Sequence, residues 1–227
     1  MPAVGFDVVP TDCLAAMLAQ RLPGATLLQM AFHGIQTVSP GTAKTMLEAI
    51  PAGGRARVDG RIVAVPTAWK TLEIPFRAGV RPAVTVPWGD VASAWYSTGI
   101  PNIEVYLALP GVQIRCMRAV RWLLPTLRAS WLRRLLQGAV RWFIAGPTAQ
   151  QREKQRSSFW GRVTDATGNQ VQATLETTSG YRLTVWTALA CVEKVLAGAA
   201  PSGFVTPSQA FGAEFCLSIP ETDVRWG

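Results

Sequence analysis

Between Arg55 and Pro87 the chain breaks into short segments, Arg57-Val58, Ile62 to Val65, Lys70 to Phe76 and Ala83 to Val86, set apart by Asp59-Gly60 and Ala78-Gly79. Alternating apolar and polar residues at period two mark strands buried on one face, and Asp-Gly between two such segments is a hairpin signal. Connections this short join antiparallel neighbours, because a parallel crossover needs a dozen residues or more. The region therefore predicts antiparallel sheet, and the rest of the chain must supply what covers it.

Further strands are expected over 25–33 and Ile103 to Leu109, with a hairpin of Phe159 to Asp165 and Gln170 to Thr177. Helices are expected where apolar residues recur every three or four positions. The first carries Leu14, Met17, Leu18 and Leu22, starts at Thr11 or Asp12 as cap and ends at Pro23-Gly24. Others begin near Ser39-Pro40 and at Gly89, run over 112–124 and 126–144 with a break at Pro125, and span Tyr181 to Ala197. Gly203 to Phe215 mixes loop and short helix, and Ile219-Pro220 closes the ordered part. Runs of strands with helices between and after them predict an α+β fold: a mixed, largely antiparallel sheet covered by helices. No internal repeat is present. The division expected is 1–24 as an edge and connecting helix, 25–200 as the main α/β domain, and 201–227 as a C-terminal return segment.

Charge narrows the partners. The 227 residues carry 22 Lys and Arg against 14 Asp and Glu, a net charge of +8, with 49% hydrophobic and 16% charged residues. From Val105 to Gln151 there is no acidic residue, while Arg115, Arg118, Arg121, Arg128, Arg133, Arg134 and Arg141 all fall there. Such a helical surface suits a membrane surface or an anionic substrate, or simply solvates the outer side of core helices. Trp122, Trp131 and Trp142 lie among these arginines but read as helix-packing residues, which makes nucleic acid the weakest partner class. The same arginines interrupt the most lipid-like stretch, so no spanning helix is expected despite a mean hydropathy of +0.20. Cys13, Cys116, Cys191 and Cys216 are far apart and there is one histidine, His33, which excludes the usual zinc ligand sets and predicts buried free thiols in a reducing cytoplasm. No signal peptide is evident.

Four segments can carry chemistry. Gly5-Phe6-Asp7-Val8-Val9-Pro10-Thr11-Asp12 is a turn holding an acid at a helix start, where free backbone amides favour an anion; alternatively Asp7 only ties the turn and Asp12 only caps. Pro87-Trp88-Gly89-Asp90 and Ser97-Thr98-Gly99-Ile100-Pro101-Asn102 flank one short helix at strand ends, where ligand sites gather. There Trp88 can offer a flat wall and Ser97, Thr98 and Asn102 can orient polar groups, or Asp90 is a cap and Asn102 a turn residue. Ser39 to Thr45 is a hydroxyl-rich helix start carrying Lys44, without Walker A spacing, and capping explains it best. His33, at the end of an apolar strand, reads as structural, and no Gly-x-Ser-x-Gly turn supports a triad. Tyr96 is a weak candidate acid. No Gly-x-Gly-x-x-Gly follows a strand and opens a helix, so these residues encode no dinucleotide-binding motif.

In this order, Gly5 to Asp12, Gly41-Thr42-Ala43-Lys44-Thr45-Met46-Leu47-Glu48, Pro87 to Asp90, Ser97 to Asn102 and Gly203-Phe204-Val205-Thr206-Pro207 resemble the saccharopine dehydrogenase-like family, and within it the branch that includes the trans-acting enoyl reductases of lipid biosynthesis. The resemblance runs from Pro2 to about Pro220. It implies a Rossmann domain carrying the phosphate loop ahead of the Gly5 turn, so the chain would start where that cofactor domain ends, as in a shortened reading frame. Gly5, Phe6, Asp7 and Pro10 would then lie near the nicotinamide of NAD(P), and Trp88, Asp90, Ser97, Thr98 and Asn102 in the opposing substrate cleft. The function implied is hydride transfer to a carbonyl or enoyl substrate, small or acyl and lipid-linked, with this chain alone binding no cofactor tightly and inactive without its Rossmann domain or a homo-oligomeric partner. The alternative is a non-catalytic module that uses the Arg-rich helices on a membrane surface or partner protein. Location would be cytoplasmic, or peripheral to a membrane.

Overall fold

The computed structural model describes residues 1, 3–34, 39–41, 44–45, 53–121, 138 and 155–227. Its elements run α1 (Val9–Arg21), β1 (Ala25–His33), β2 (Gly54–Val58), β3 (Arg61–Val65), β4 (Thr71–Phe76), β5 (Gly79–Thr85), α2 (Asp90–Thr98), β6 (Asn102–Ala108), α3 (Gly111–Val120), β7 (Arg156–Asp165), β8 (Gln170–Thr178), α4 (Gly180–Leu196), α5 (Pro207–Phe211), a 3-10 turn (Phe215–Ser218) and β9 (Asp223–Trp226). The fold is α+β, a mixed and largely antiparallel sheet flanked by helices, as the hairpin punctuation predicts.

β1 lies at the centre. It pairs parallel with β6, Leu28 beside Ile103 and Phe32 beside Leu107, and antiparallel with β7, Leu28 beside Val163 and Phe32 beside Phe159. The sheet order is β3-β2-β6-β1-β7-β8-β9, and β4-β5 joins through β5. The far edge of β6 is shared: β2 meets its start at Ile103, and β5 pairs with Tyr106 to Ala108. Asp59 and Gly60, at φ 47° and 76°, close β2-β3 as the Asp-Gly signal requires. The β4-β5 turn falls on Arg77-Ala78, one position before the expected Ala78-Gly79, because Gly79 at φ 113° already pairs with Phe76.

Period two divides the sheet residues between two faces. Leu28, Met30, Phe32, Ile103, Val105, Phe159, Val163, Ala173 and Leu175 form the core with α1 and with Val91 and Ala94 of α2. On the other face Ala31, Tyr106, Ala108 and Trp160 pack against Ile74, Phe76 and Ala83 as the β4-β5 hairpin folds over. α1 is buried from Val9 to Leu18. No side chain caps it, so neither Thr11 nor Asp12 has the capping role expected; the helix begins earlier, at Val9, and both side chains turn to tertiary partners.

The chain stays ordered beyond Ile219-Pro220, contrary to expectation, because β9 adds to β8 and Arg21 stacks 3.5 Å over Trp226. Cys13, Cys191 and Cys216 are buried, but Cys116 is exposed, since α3 turns Ile114 and not Cys116 into the core. Arg115, Arg118 and Arg121 lie at exposed positions, and Arg118 Nε donates to the Ala68 carbonyl at 3.2 Å. Arg128, Arg133, Arg134 and Arg141, the expected helix over 126–144 and most of the expected helix after Ser39 lie outside the described residues. No described helix is long and apolar enough to cross a membrane.

α1 comes so near the sheet because β7 carries Gly161 beneath it. A Cβ there would stand 2.6 Å from Leu18 Cδ1 and 3.2 Å from Leu14 Cδ2, both in side chains with no exposed surface. Gly161→Val is expected to destabilise by about 1–3 kcal/mol through overpacking, read as a lower urea midpoint at unchanged m.

Candidate functional site

The two turns singled out in the sequence meet in space. Trp88 Nε1 donates to the Asp7 carbonyl at 3.1 Å, the Trp88 ring lies 4.5 Å from that of Phe32, and Phe6 packs on Phe159 and Phe32 at 5.3 and 6.5 Å. Three of the turn's amides are already used: Val8 and Val9 donate to the Gly5 carbonyl at 3.2 and 3.0 Å, and Phe6 donates to Thr184 Oγ1 at 3.1 Å. Gly5 sits against Thr184, where a Cβ would come within 2.9 Å, and Pro10 is buried in the first turn of α1.

Behind this contact lies a buried acidic cluster. Thr11 Oγ1 donates to Asp90 Oδ1 at 2.6 Å, Ser208 N donates to Asp12 Oδ2 at 2.7 Å, and Ser97 Oγ bonds both Asp12 and, at 2.9 Å, Thr206 Oγ1. These bonds tie α1 to α2 and to the capping box that starts α5. Burial pushes Asp90 up to about 8, with the charges of Asp12 and Asp7 adding to the shift, and its Oδ2 has no hydrogen-bond partner. Burial also raises Asp12, against the bonds from Ser97 and Ser208, and raises Asp7 at the outer edge. With no exposed surface, Asp90 and Asp12 join α1, α2 and the start of α5.

The remaining sequence candidates separate. Thr98 Oγ1 donates to the Ala94 carbonyl at 2.6 Å and accepts from Ile100 N at 3.2 Å, closing α2. Asn102 donates to the Thr26 carbonyl at 2.9 Å and accepts from Asp59 N at 3.0 Å, fixing where β6 starts. Tyr96 is 54% exposed and packs on Phe204 with ring centroids 4.8 Å apart. His33 packs on Phe76 at 5.6 Å; burial and the Arg81 charge lower its pKa.

A second polar cluster, which the sequence reading missed, occupies the hairpin side of the sheet. Gln29 of β1, Glu104 and Tyr106 of β6, and Arg162 of β7 lie side by side, joined by Lys70 from the start of β4. Glu104 accepts from Gln29 Nε2 at 2.9 Å, from Tyr106 OH at 2.5 Å and from Lys70 Nζ. Gln29 Oε1 accepts from Arg162 Nη2 at 2.7 Å and Nε at 3.2 Å. Burial raises Glu104, yet the bonds from Lys70, Tyr106 and Gln29 outweigh it and hold the carboxylate below its usual range. Burial and the bond to Glu104 push the Tyr106 phenol well up, so it stays a neutral donor. The cluster carries two cations and one anion. Lys70 is spent on Glu104, whereas Arg162, with one edge on Gln29, has no carboxylate partner among the described residues. That leaves a partly exposed guanidinium beside two buried polar residues, a group able to pair with an anion. The signal was present in the sequence as polar residues at alternate positions inside apolar strands, Gln29 between Leu28 and Met30 and Glu104 between Ile103 and Val105. The described residues contain no group of His, Cys, Asp and Glu able to hold a metal.

No family model matches this sequence, and no curated protein does. Among solved structures, the chain is similar to apo histidine-tagged saccharopine dehydrogenase (L-Glu forming) from Saccharomyces cerevisiae, with TM-score 0.54 and 9% identity over 99% of this chain and 73% of that one. At that identity the likeness establishes a saccharopine dehydrogenase-like fold.

Asp90 gives a pH test. Its folded pKa stands near 8, far above that of an unfolded aspartate, so the folded state holds a proton the unfolded state has lost. Its contribution is fully present below about pH 4 and is lost as pH rises towards 8. Asp90→Asn should flatten that decline, on the order of a few kcal/mol, in urea titrations between pH 4 and 9.

Proposed function

We propose that this chain is the substrate-side part of an NAD(P)-dependent oxidoreductase that transfers hydride to an anionic carbonyl or enoyl substrate. The observation that carries the reading is Arg162, held by Gln29 on the hairpin side of the sheet without a carboxylate partner among the described residues. The saccharopine dehydrogenase-like fold supports the reaction class. The chain's part is to bind and orient. Arg162 takes a carboxylate or phosphate of the substrate, and the Lys70–Glu104–Gln29 chain keeps the guanidinium in place. Tyr106 donates to Glu104 and serves as support, not as the acid. The nicotinamide, carried by a dinucleotide-binding unit that these 227 residues do not encode, supplies the hydride.

A finer form of this reading makes the substrate an acyl group at a membrane surface, approached through the basic stretch that includes Arg115 and Arg121. Sedimentation with anionic vesicles at low salt is the measurement; no binding removes the membrane part and leaves the rest.

Calorimetric titration of the purified chain with 2-oxo acids and acyl thioesters tests the main reading. Binding of one class is expected, weakened about tenfold or more by Arg162→Ala, with NADPH not bound tightly. Binding indifferent to Arg162→Ala overturns the site, and tight NADPH binding overturns the division of labour.

A further inference from the structure

Arg162 has a neighbour that the hydrogen-bonded cluster does not include. The register sets Gln29 of β1 on one side of it and Gln172 of β8 on the other, and paired residues share a face of the sheet. Arg162 leans to Gln29 and bonds its Oε1. Gln172 leans the opposite way, with its Nε2 3.2 Å from the point where a Cβ on Gly227 would stand. Both are partly exposed, so the two long side chains part over the β7-β8 pair and leave a gap between their polar ends. No described residue hydrogen-bonds the Gln172 amide.

Gln29 decides which edge of Arg162 faces that gap. A guanidinium offers two bidentate edges, Nε with Nη2 and Nη1 with Nη2. Gln29 Oε1 accepts from Nε at 3.2 Å and from Nη2 at 2.7 Å, which closes the first edge, and Nη1 has no partner among the described residues. The Gln29 amide cannot turn round. Its Nε2 donates to Glu104 at 2.9 Å, and a flipped amide would set oxygen against carboxylate and NH2 against guanidinium. The Trp160 ring, 5.3 Å from Arg162 Cζ, covers one face of the guanidinium plane. What remains is a flat fork of Nη1 and Nη2, with the Gln172 amide beside it.

Such a fork fits a carboxylate lying in its own plane. Lys70 and Arg162 set against Glu104 leave one net positive charge, which a single carboxylate cancels. A phosphate group carries more than one negative charge at neutral pH, and its tetrahedral oxygens need donors out of the plane, where Trp160 presents a ring.

We infer that Gln172 is a second ligand contact beside Arg162, and that Gln29 is the positioning residue that makes this subsite select a carboxylate over a phosphate. The inference rests on the functional reading in placing substrate at Arg162, and it narrows the anionic group taken there.

Nuclear magnetic resonance titration of the full chain tests it, following the Arg162 Nε–H and Gln172 amide signals with butyrate and with inorganic phosphate as probes. Butyrate is expected to shift both signals and to bind about tenfold more tightly than phosphate. Gln172→Leu, a change at a partly exposed position, should weaken butyrate about fivefold by removing one hydrogen bond. Gln29→Leu should free the Nε edge and bring the two affinities close together, which mere loosening of the fold does not do. Phosphate that binds as well as butyrate overturns the proposal, as does a chain that butyrate does not shift. Butyrate binding that Gln172→Leu leaves unchanged does so too, and so does a selectivity that survives Gln29→Leu. If Gln29→Leu fails to fold, the native selectivity and Gln172→Leu decide. These outcomes leave the functional reading standing; it falls with them only where anion binding is indifferent to Arg162→Ala.

Discussion

The structure depends on the close approach of α1 to β7 at Gly161. A sheet and a helix normally stand a side chain's length apart, and here the missing Cβ lets Leu14 and Leu18 lie directly on the strand. This seat explains why α1 is buried over ten consecutive residues, although polar Thr11 and Asp12 are among them. A helix pressed this deeply cannot turn its polar positions to water. They must be satisfied by neighbours, and α2 and the 206–208 turn supply Asp90, Ser97, Thr206 and Ser208. The acidic cluster is thus a consequence of the packing.

The two polar clusters show how burial sorts carboxyls. Asp90 is fully buried, receives one side-chain hydrogen bond, from Thr11, and has two other aspartates nearby, so its proton is retained to about 8. Glu104 is nearly as buried but receives three donors, one of them a lysine, and stays ionised. The difference is one of partners, since desolvation acts on both in the same direction. An ionised Glu104 can in turn fix Gln29, and Gln29 can fix Arg162, so a cation on the sheet face is set by a charge buried two strands away.

How far the sequence could be read follows the range of each interaction. The hairpins at Asp59-Gly60 and across 166–169 are local, and their turn chemistry states them outright; so are α2 and α4, marked by periodicity and by the residues that stop them. The parallel pairing of β1 with β6 is not local. It joins strands separated by two hairpins and a helix, and only the apolar character of both strands hints that they are neighbours. The acidic turns at Asp7 and Asp90 stand out in the sequence only as separate features, and what unites them is Trp88 reaching the Asp7 carbonyl, a contact between segments 81 positions apart that no spacing rule reports. Gln29 and Glu104 were overlooked for the opposite reason. Within an apolar strand each looks like a single exception, and they gain meaning only once the register sets them side by side.

The same register also separates the two sides of the sheet in kind. On the α1 side, helices pack on the apolar strand residues to form the main core. The other side carries the β4-β5 hairpin, whose Ile74, Phe76 and Ala83 pack on Ala31, Tyr106, Ala108 and Trp160. Two residues farther along the strands stand Gln29 and Glu104, both buried, and Arg162, partly exposed. A buried carboxylate and amide must find their partners inside the protein, and the register supplies them across β6, β1 and β7, with Arg162 as the partly exposed end of the row.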